Sequence, residues 1–182
     1  MAVKSLSVSL GLPFGIGSIS GTWEPDENER RAAWEMYVEL VTRISVQELG
    51  PEEGFLREAL TSLYSLFGTT RQILRDHGPE VAQLSKRSEL SFGTIAVRVL
   101  NEALRPFLAT WHPALSYHET ARPENVSPID HERAWEKAPE LRAELNELRG
   151  TLRGYADLLG KVAGVPSLIE RPRTDDSLAQ RD

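Results

Sequence analysis

Four side chains along one stretch of this sequence have the types and spacing to act on an anion. Arg98, Asn101, Arg105 and His112 follow one another at intervals of three, four and seven residues, which sets them along one side of a helix. An arginine there can grip a phosphate or carboxylate with its planar fork, and a histidine can give or take a proton near neutral pH. The same row equally suits the solvated side of a helix whose other side is buried. A second group is His112, His118 and His131, three of the four histidines within twenty residues, with Glu119, Asp130 and Glu132 beside them. Imidazole and carboxylate together suit zinc, iron or manganese. The spacings match neither H-E-x-x-H nor the E-x-x-H pairs of di-iron bundles, and a Pro-rich stretch presents ligands less rigidly than a helix does. Arg105 and His112 are the candidate catalytic pair; His112, His118 and His131 are the candidate metal ligands.

Arg105-x6-His112 resembles the R-x4-6-H motif of HEPN ribonucleases, all-helical bundle proteins in which arginine and histidine act on an RNA phosphodiester. The resemblance covers two residues and implies RNA as substrate under that reading; Pro106 stands where such motifs usually carry a polar residue. Arg71-x5-His77 is a second Arg/His pair, and His77 also suits the last turn of a helix, where a cation meets the favourable end of the dipole. Gly15-Ile16-Gly17-Ser18-Ile19-Ser20-Gly21 has the glycine pattern of a dinucleotide-binding loop. However, Trp23-Glu24-Pro25 delays the helix that should meet the pyrophosphate, so a Gly-rich hairpin turn is the better reading.

The elements that would position these residues can be read from periodicity. Leu6, Val8 and Leu10 alternate with Ser5, Ser7 and Ser9, the period of a half-buried strand, and Ile16 to Trp23 can return as its partner. Asp26 with Glu29 three residues on reads as a capping box, and Trp34, Tyr37, Val38, Val41 and Ile44 carry a helix toward Leu49. A second helix is expected from Glu52 to His77, stopped by Gly78-Pro79. A third begins at Ser91 and runs through Phe92, Ile95, Val99, Ala103, Phe107 and Trp111, with a kink expected near Glu102 to Arg105, because Pro106 removes a backbone bond and crowds the preceding turn. His112 to Ser127, with two prolines, reads as a connection. Ser127-Pro128-Ile129-Asp130 caps a further helix, restarted at Pro139. Leu141, Leu145, Leu148, Leu152, Tyr155 and Leu159 then recur at heptad spacing, a seam for a partner helix from this chain or another.

Composition bounds the rest. A chain of 182 residues can bury a real core. It has no cysteine, which removes disulfides, thiolate nucleophiles and Cys-based metal sites. A formal net charge of -6 repels phosphate backbones, so DNA is not an expected partner and RNA enters only with the ribonuclease reading. No stretch reaches the roughly 18 consecutive apolar residues of a membrane span. Lys4 with the apolar segment after it lacks a leader's cleavage site, so the cytoplasm is the expected location. Arginine outnumbers lysine 17 to 4, which we read as the mark of a GC-rich bacterial genome.

The expected fold class is mainly α: a bundle of four to five helices with a short N-terminal β-hairpin and a disordered C-terminal tail. The hairpin takes residues 1–25, the bundle 26–165 and the tail 166–182. No cofactor is expected. The expected function is that of a non-enzymatic interaction protein, an adaptor, regulator or assembly subunit whose partner is another protein or a second copy of itself. A HEPN-like ribonuclease, or a metal-dependent hydrolase built on the histidine cluster, is the alternative.

Overall fold

A computed structural model describes residues 4–43, 46, 50 and 53–168. Strands β1 (Leu6–Gly11) and β2 (Ser18–Trp23) form an antiparallel hairpin. Helices follow as α1 (Glu27–Val41), α2 (Leu56–His77), α3 (Phe92–Arg98), α4 (Arg105–Thr120), α5 (Pro128–Arg133) and α6 (Ala138–Ala163). A single 3-10 turn, Pro79–Ala82, lies between α2 and α3. The expected tail from Ile169 onward, and the end of the first expected helix near Leu49, lie outside the described residues.

The hairpin pairs Leu6 with Trp23, Val8 with Gly21 and Leu10 with Ile19. Alternation turns Val8, Leu10, Ile19 and Trp23 inward, where all four are buried. A lone hairpin is marginal in water, so that face must be covered. The cover is α6: Thr151 donates to the carbonyl of Gly11 at 3.1 Å, the Phe14 amide donates to Glu147, and a methyl of Leu10 fills the space beside Gly154. Strands and helices share one continuous apolar core.

Glu29 ties three of these elements together. It completes the capping box of α1, accepting from the Asp26 amide at 3.1 Å while Asp26 accepts from the Glu29 amide at 2.8 Å. Its other oxygen accepts from the Trp23 indole at 2.9 Å and from the Phe92 amide, the first of α3, at 2.8 Å. One buried carboxylate thereby satisfies the end of the hairpin, the start of α1 and the start of α3. Burial raises its pKa above the ordinary value, against the lowering effect of those donors.

Three sequence expectations change. Where a proline kink is expected, Val99–Leu104 is a π-helical turn joining α3 to α4 and ending two residues before Pro106. Widening the ladder there accommodates a residue that has no N–H to contribute. Of the stretch from His112 to Ser127 only the part after Thr120 is a connection; His112 to Thr120 is the second half of α4, which runs through Pro113. Trp111 and Leu115, on either side of that proline, are both buried, and their packing holds the helix where local propensity would end it. The second helix starts at Leu56, after Phe55 in extended conformation; Glu52, its expected start, lies outside the described residues.

The heptad seam is spent inside the chain. Leu141, Leu145, Leu148, Leu152, Tyr155 and Leu159 are all buried in the common core, and α1 is the helix most extensively packed on α6. Gly160 lets the Tyr37 ring approach, since a methyl group there would stand 3.3 Å from it. Gly164, left-handed at φ 73°, closes α6 as the C-terminal glycine should.

Candidate functional site

The row of four polar residues does not survive the π turn intact. Arg98 turns to Glu102 with a pair of bonds at 2.7 and 3.0 Å. Arg105 donates through Nε and Nη2 to Asn101 Oδ1 and lies with its guanidinium carbon 5.5 Å from the centre of the Phe67 ring. His112 and Arg105 remain on one side of α4 and line the same cavity, of about 350 Å³. Its opposite wall comes from α2, through Tyr64, Phe67 and Arg71, and its floor from Leu108 and Ala109.

Two columns of side chains build this groove. On α2, Arg57, Tyr64 and Arg71 are seven apart, and on α4 so are Arg105, His112 and Glu119. The helices cross so that the columns meet in opposite order. At one end Arg57 holds Glu119 with two bonds of 2.8 Å and reaches Ser116 at 3.1 Å. In the middle the rings of Tyr64 and His112 lie 5.8 Å apart. At the other end stand Arg71 and Arg105.

The charge at the Arg71–Arg105 end of the groove is one-signed. Among the described residues no carboxylate lines the cavity there, Glu119 being held by Arg57 at the far end, and neither Arg71 nor Arg105 forms a salt bridge. Both are exposed, as is Tyr64 at 62%. Arg57 Nη1 lies 3.4 Å from His112 Nε2. A guanidinium can only donate, so Nε2 is the acceptor of that pair and the ring proton sits on Nδ1. The groove therefore offers two guanidinium forks with free donors, a phenol and an imidazole N–H, a set matched to an anion with an aromatic or apolar neighbour.

The expected histidine cluster divides. His118 and His131 stack face to face, centroids 3.9 Å apart and planes 2° from parallel, and each donates from Nε2 to the backbone carbonyl of the other at 2.9 and 2.8 Å. Trp135 stacks on the outer side of His118 at 5.1 Å and meets Trp111 edge-on. His112 points instead into the groove, so the three imidazoles do not converge, and among the described residues no group of three or more His, Asp or Glu is arranged to hold a metal ion. The pair clamps α5 onto α4. His77, the remaining histidine, is turned away from Arg71 and contacts Asn28 and Glu35 at 2.7 and 2.9 Å.

Glu132 completes the clamp. The first turn of α2 has no side-chain cap of its own, and the buried Glu132 carboxylate on α5 accepts from the amides of Leu56 at 2.8 Å and Arg57 at 3.1 Å. An anion at a helix N-terminus satisfies orphan donors and the dipole at once. Burial raises the Glu132 pKa all the same. Through this cap, α5 fixes the end of α2 that carries Arg57.

Sequence reasoning picked out Arg105 and His112 and missed Arg57 and Tyr64; it saw Arg71 only as a neighbour of His77. The available signal was the seven-residue spacing of a polar column on α2, facing an equal column on α4. Among the described residues no helix is long and apolar enough to cross a membrane. No family model matches the chain, and no curated protein or solved structure matches it.

Proposed function

We propose that this chain is a non-enzymatic interaction protein of a bacterial cytosol, and that its contact face is the groove between α2 and α4, which takes an acidic segment of a protein partner. One observation supports this above others. On a chain of net charge -6, Arg71 and Arg105 stand exposed, without carboxylate partners, at the end of the groove where among the described residues no carboxylate lines the cavity. Guanidiniums without carboxylate partners beside exposed Tyr64 have the composition of a recognition surface, where Arg and Tyr are enriched. The heptad seam no longer supports the reading, because its leucines face the chain's own core.

Titration with peptides of equal length carrying acidic, neutral or basic side chains around one aromatic tests it. Acidic peptides bind, binding weakens with salt, and an Arg71→Ala/Arg105→Ala variant loses it. Equal retention of all three peptide classes would end the proposal.

The presence of Arg105 and His112 in one groove favours a second reading, the HEPN-like ribonuclease. There Arg105 would stabilise phosphate charge and His112 would move the proton. Purified protein that leaves RNA intact, or a His112→Ala variant that cleaves as well as the parent, excludes it.

A further inference from the structure

Helix α2 carries a second groove on its other flank, and the two are opposite in charge. Between α1 and α2 a cavity of about 530 Å³ is lined by Trp34, Glu35, Glu39 and Asp76 together with Val38 and Ile73, and among the described residues by no cationic side chain. Each carboxylate has one internal contact: Glu35 with His77, Glu39 with Arg43 and Asp76 with Gln72. Trp34 stays 41% exposed. The cationic groove presents exposed Tyr64 with Arg71 and Arg105; the acidic one presents exposed Trp34 with three carboxylates.

What separates them is a ridge of exposed residues on α2, Thr61, Ser65, Gly68 and Gln72, the last two of which also form the near edge of the acidic cavity. They follow the spacing of one helix face, and three of the four are small. Gly68 lies near the middle of α2, and a methyl group there would meet nothing within 4 Å. A glycine inside a helix is unfavourable relative to alanine, and among the described residues nothing packs against this one. It leaves the ridge low enough for another backbone to approach closely.

We infer that the occupant of the cationic groove is the acidic groove of a second copy of this chain, with the two copies meeting along the Gly68 ridge of α2. This rests on the proposed function above and names the partner. Symmetry fixes the arrangement. A two-fold axis running along α2 sets the helices parallel and lays each cationic flank on the other copy's acidic flank. A two-fold perpendicular to the helix sets them antiparallel and places like charge on like. Charge complementarity selects the first, with Gly68 opposite Gly68′ and Trp34 beside the partner's arginines, where cation–π contact adds to the ion pairs.

Sedimentation equilibrium of the full chain at low and high salt tests this. The parent is a dimer at low salt that dissociates as salt rises. Gly68→Arg, whose side chain enters open space within its own chain, is a monomer that unfolds no earlier than the parent does at the salt concentration where the parent is itself monomeric. Arg71→Glu/Arg105→Glu and Glu35→Lys/Asp76→Lys are each weakened in self-association, and mixing the two restores a one-to-one dimer. A parent that stays monomeric at low salt overturns the inference. If it still binds acidic peptides through Arg71 and Arg105, the groove reading survives without the self-partner; if it binds none, both fail. A parent dimer indifferent to Gly68→Arg and to both charge variants also overturns it.

Discussion

His118 and His131 hold each other by a reciprocal arrangement: parallel rings 3.9 Å apart, each Nε2–H directed to the other residue's carbonyl. Neither residue can be replaced without stranding a carbonyl on the opposite element. His131→Ala removes the stack and the bond from His131 Nε2 to the His118 carbonyl, while the His131 backbone carbonyl can still accept from His118, and we expect a loss of about 1–3 kcal/mol from the usual worth of one hydrogen bond and an aromatic pair. His131→Phe keeps a ring over His118 and should recover about 1 kcal/mol of that. Chemical denaturation of the three proteins measures the difference; equal stability of all three would contradict the clamp.

Removing Glu29 strands more. Glu29→Ala leaves the Trp23 indole and the amides of Asp26 and Phe92 without their acceptor, and the cost should reach about 3–5 kcal/mol. Asp26→Ala, which deletes only the cap side chain, should cost about 1 kcal/mol. The ratio between the two, read from denaturation midpoints, distinguishes a three-element tie from an ordinary helix cap.

Glu132 sets a pH dependence whose sign follows from burial. Its pKa in the folded chain lies above the ordinary 4.5, so between 4.5 and the raised value the folded state binds more protons than the unfolded one. Stability from this group is therefore present at the acid end of that window and is lost as pH rises through it. Glu29 acts in the same direction. In Glu132→Gln the contribution vanishes. The stability difference between parent and variant, followed as pH rises from 4.5, should move against the parent; a difference independent of pH would refute the assignment.

The buried phenol of Tyr155 has no hydrogen-bond partner among the described residues, and burial pushes its pKa far up. Leaving a hydroxyl unpaired in an apolar interior costs about 1–3 kcal/mol. Tyr155→Phe should accordingly stabilise the protein, by about 1 kcal/mol after the lost contacts of the oxygen are counted. Calorimetry showing a lower Tm would reveal a partner for that oxygen.

The glycines of α6 should answer differently to the same change. Gly150→Ala adds a methyl in open space and should stabilise by up to about 1 kcal/mol. Gly160→Ala places a methyl 3.3 Å from the Tyr37 ring and should lose that gain or reverse it. Comparing the two thermal midpoints checks that Gly160 is kept for helix contact.

The sequence by itself determined most of the elements, because their signals are local. Alternation in Leu6 to Leu10 turns one strand face inward, Asp26 and Glu29 close a capping box within three residues, and Ser127-Pro128 and Gly164 mark helix ends through their own backbone preferences. Only the tertiary structure decided how α4 runs and what its polar residues meet. Pro113 breaks a helix in isolation, yet the burial of Trp111 and Leu115 outweighs it. Pro106 was visible, but whether the chain would kink or widen into a π turn depended on packing around Val99 to Leu104. The leucine seam showed a buried face without showing whose; packing on α1 answered that. The histidines near in sequence were separated because α4 continues as a helix, sending His112 toward α2 and His118 toward α5. The groove with Arg57, Tyr64 and Arg71 opposite Arg105, His112 and Glu119 depends on two helices far apart in the chain crossing in one sense, and periodicity within either helix carries no information about that crossing.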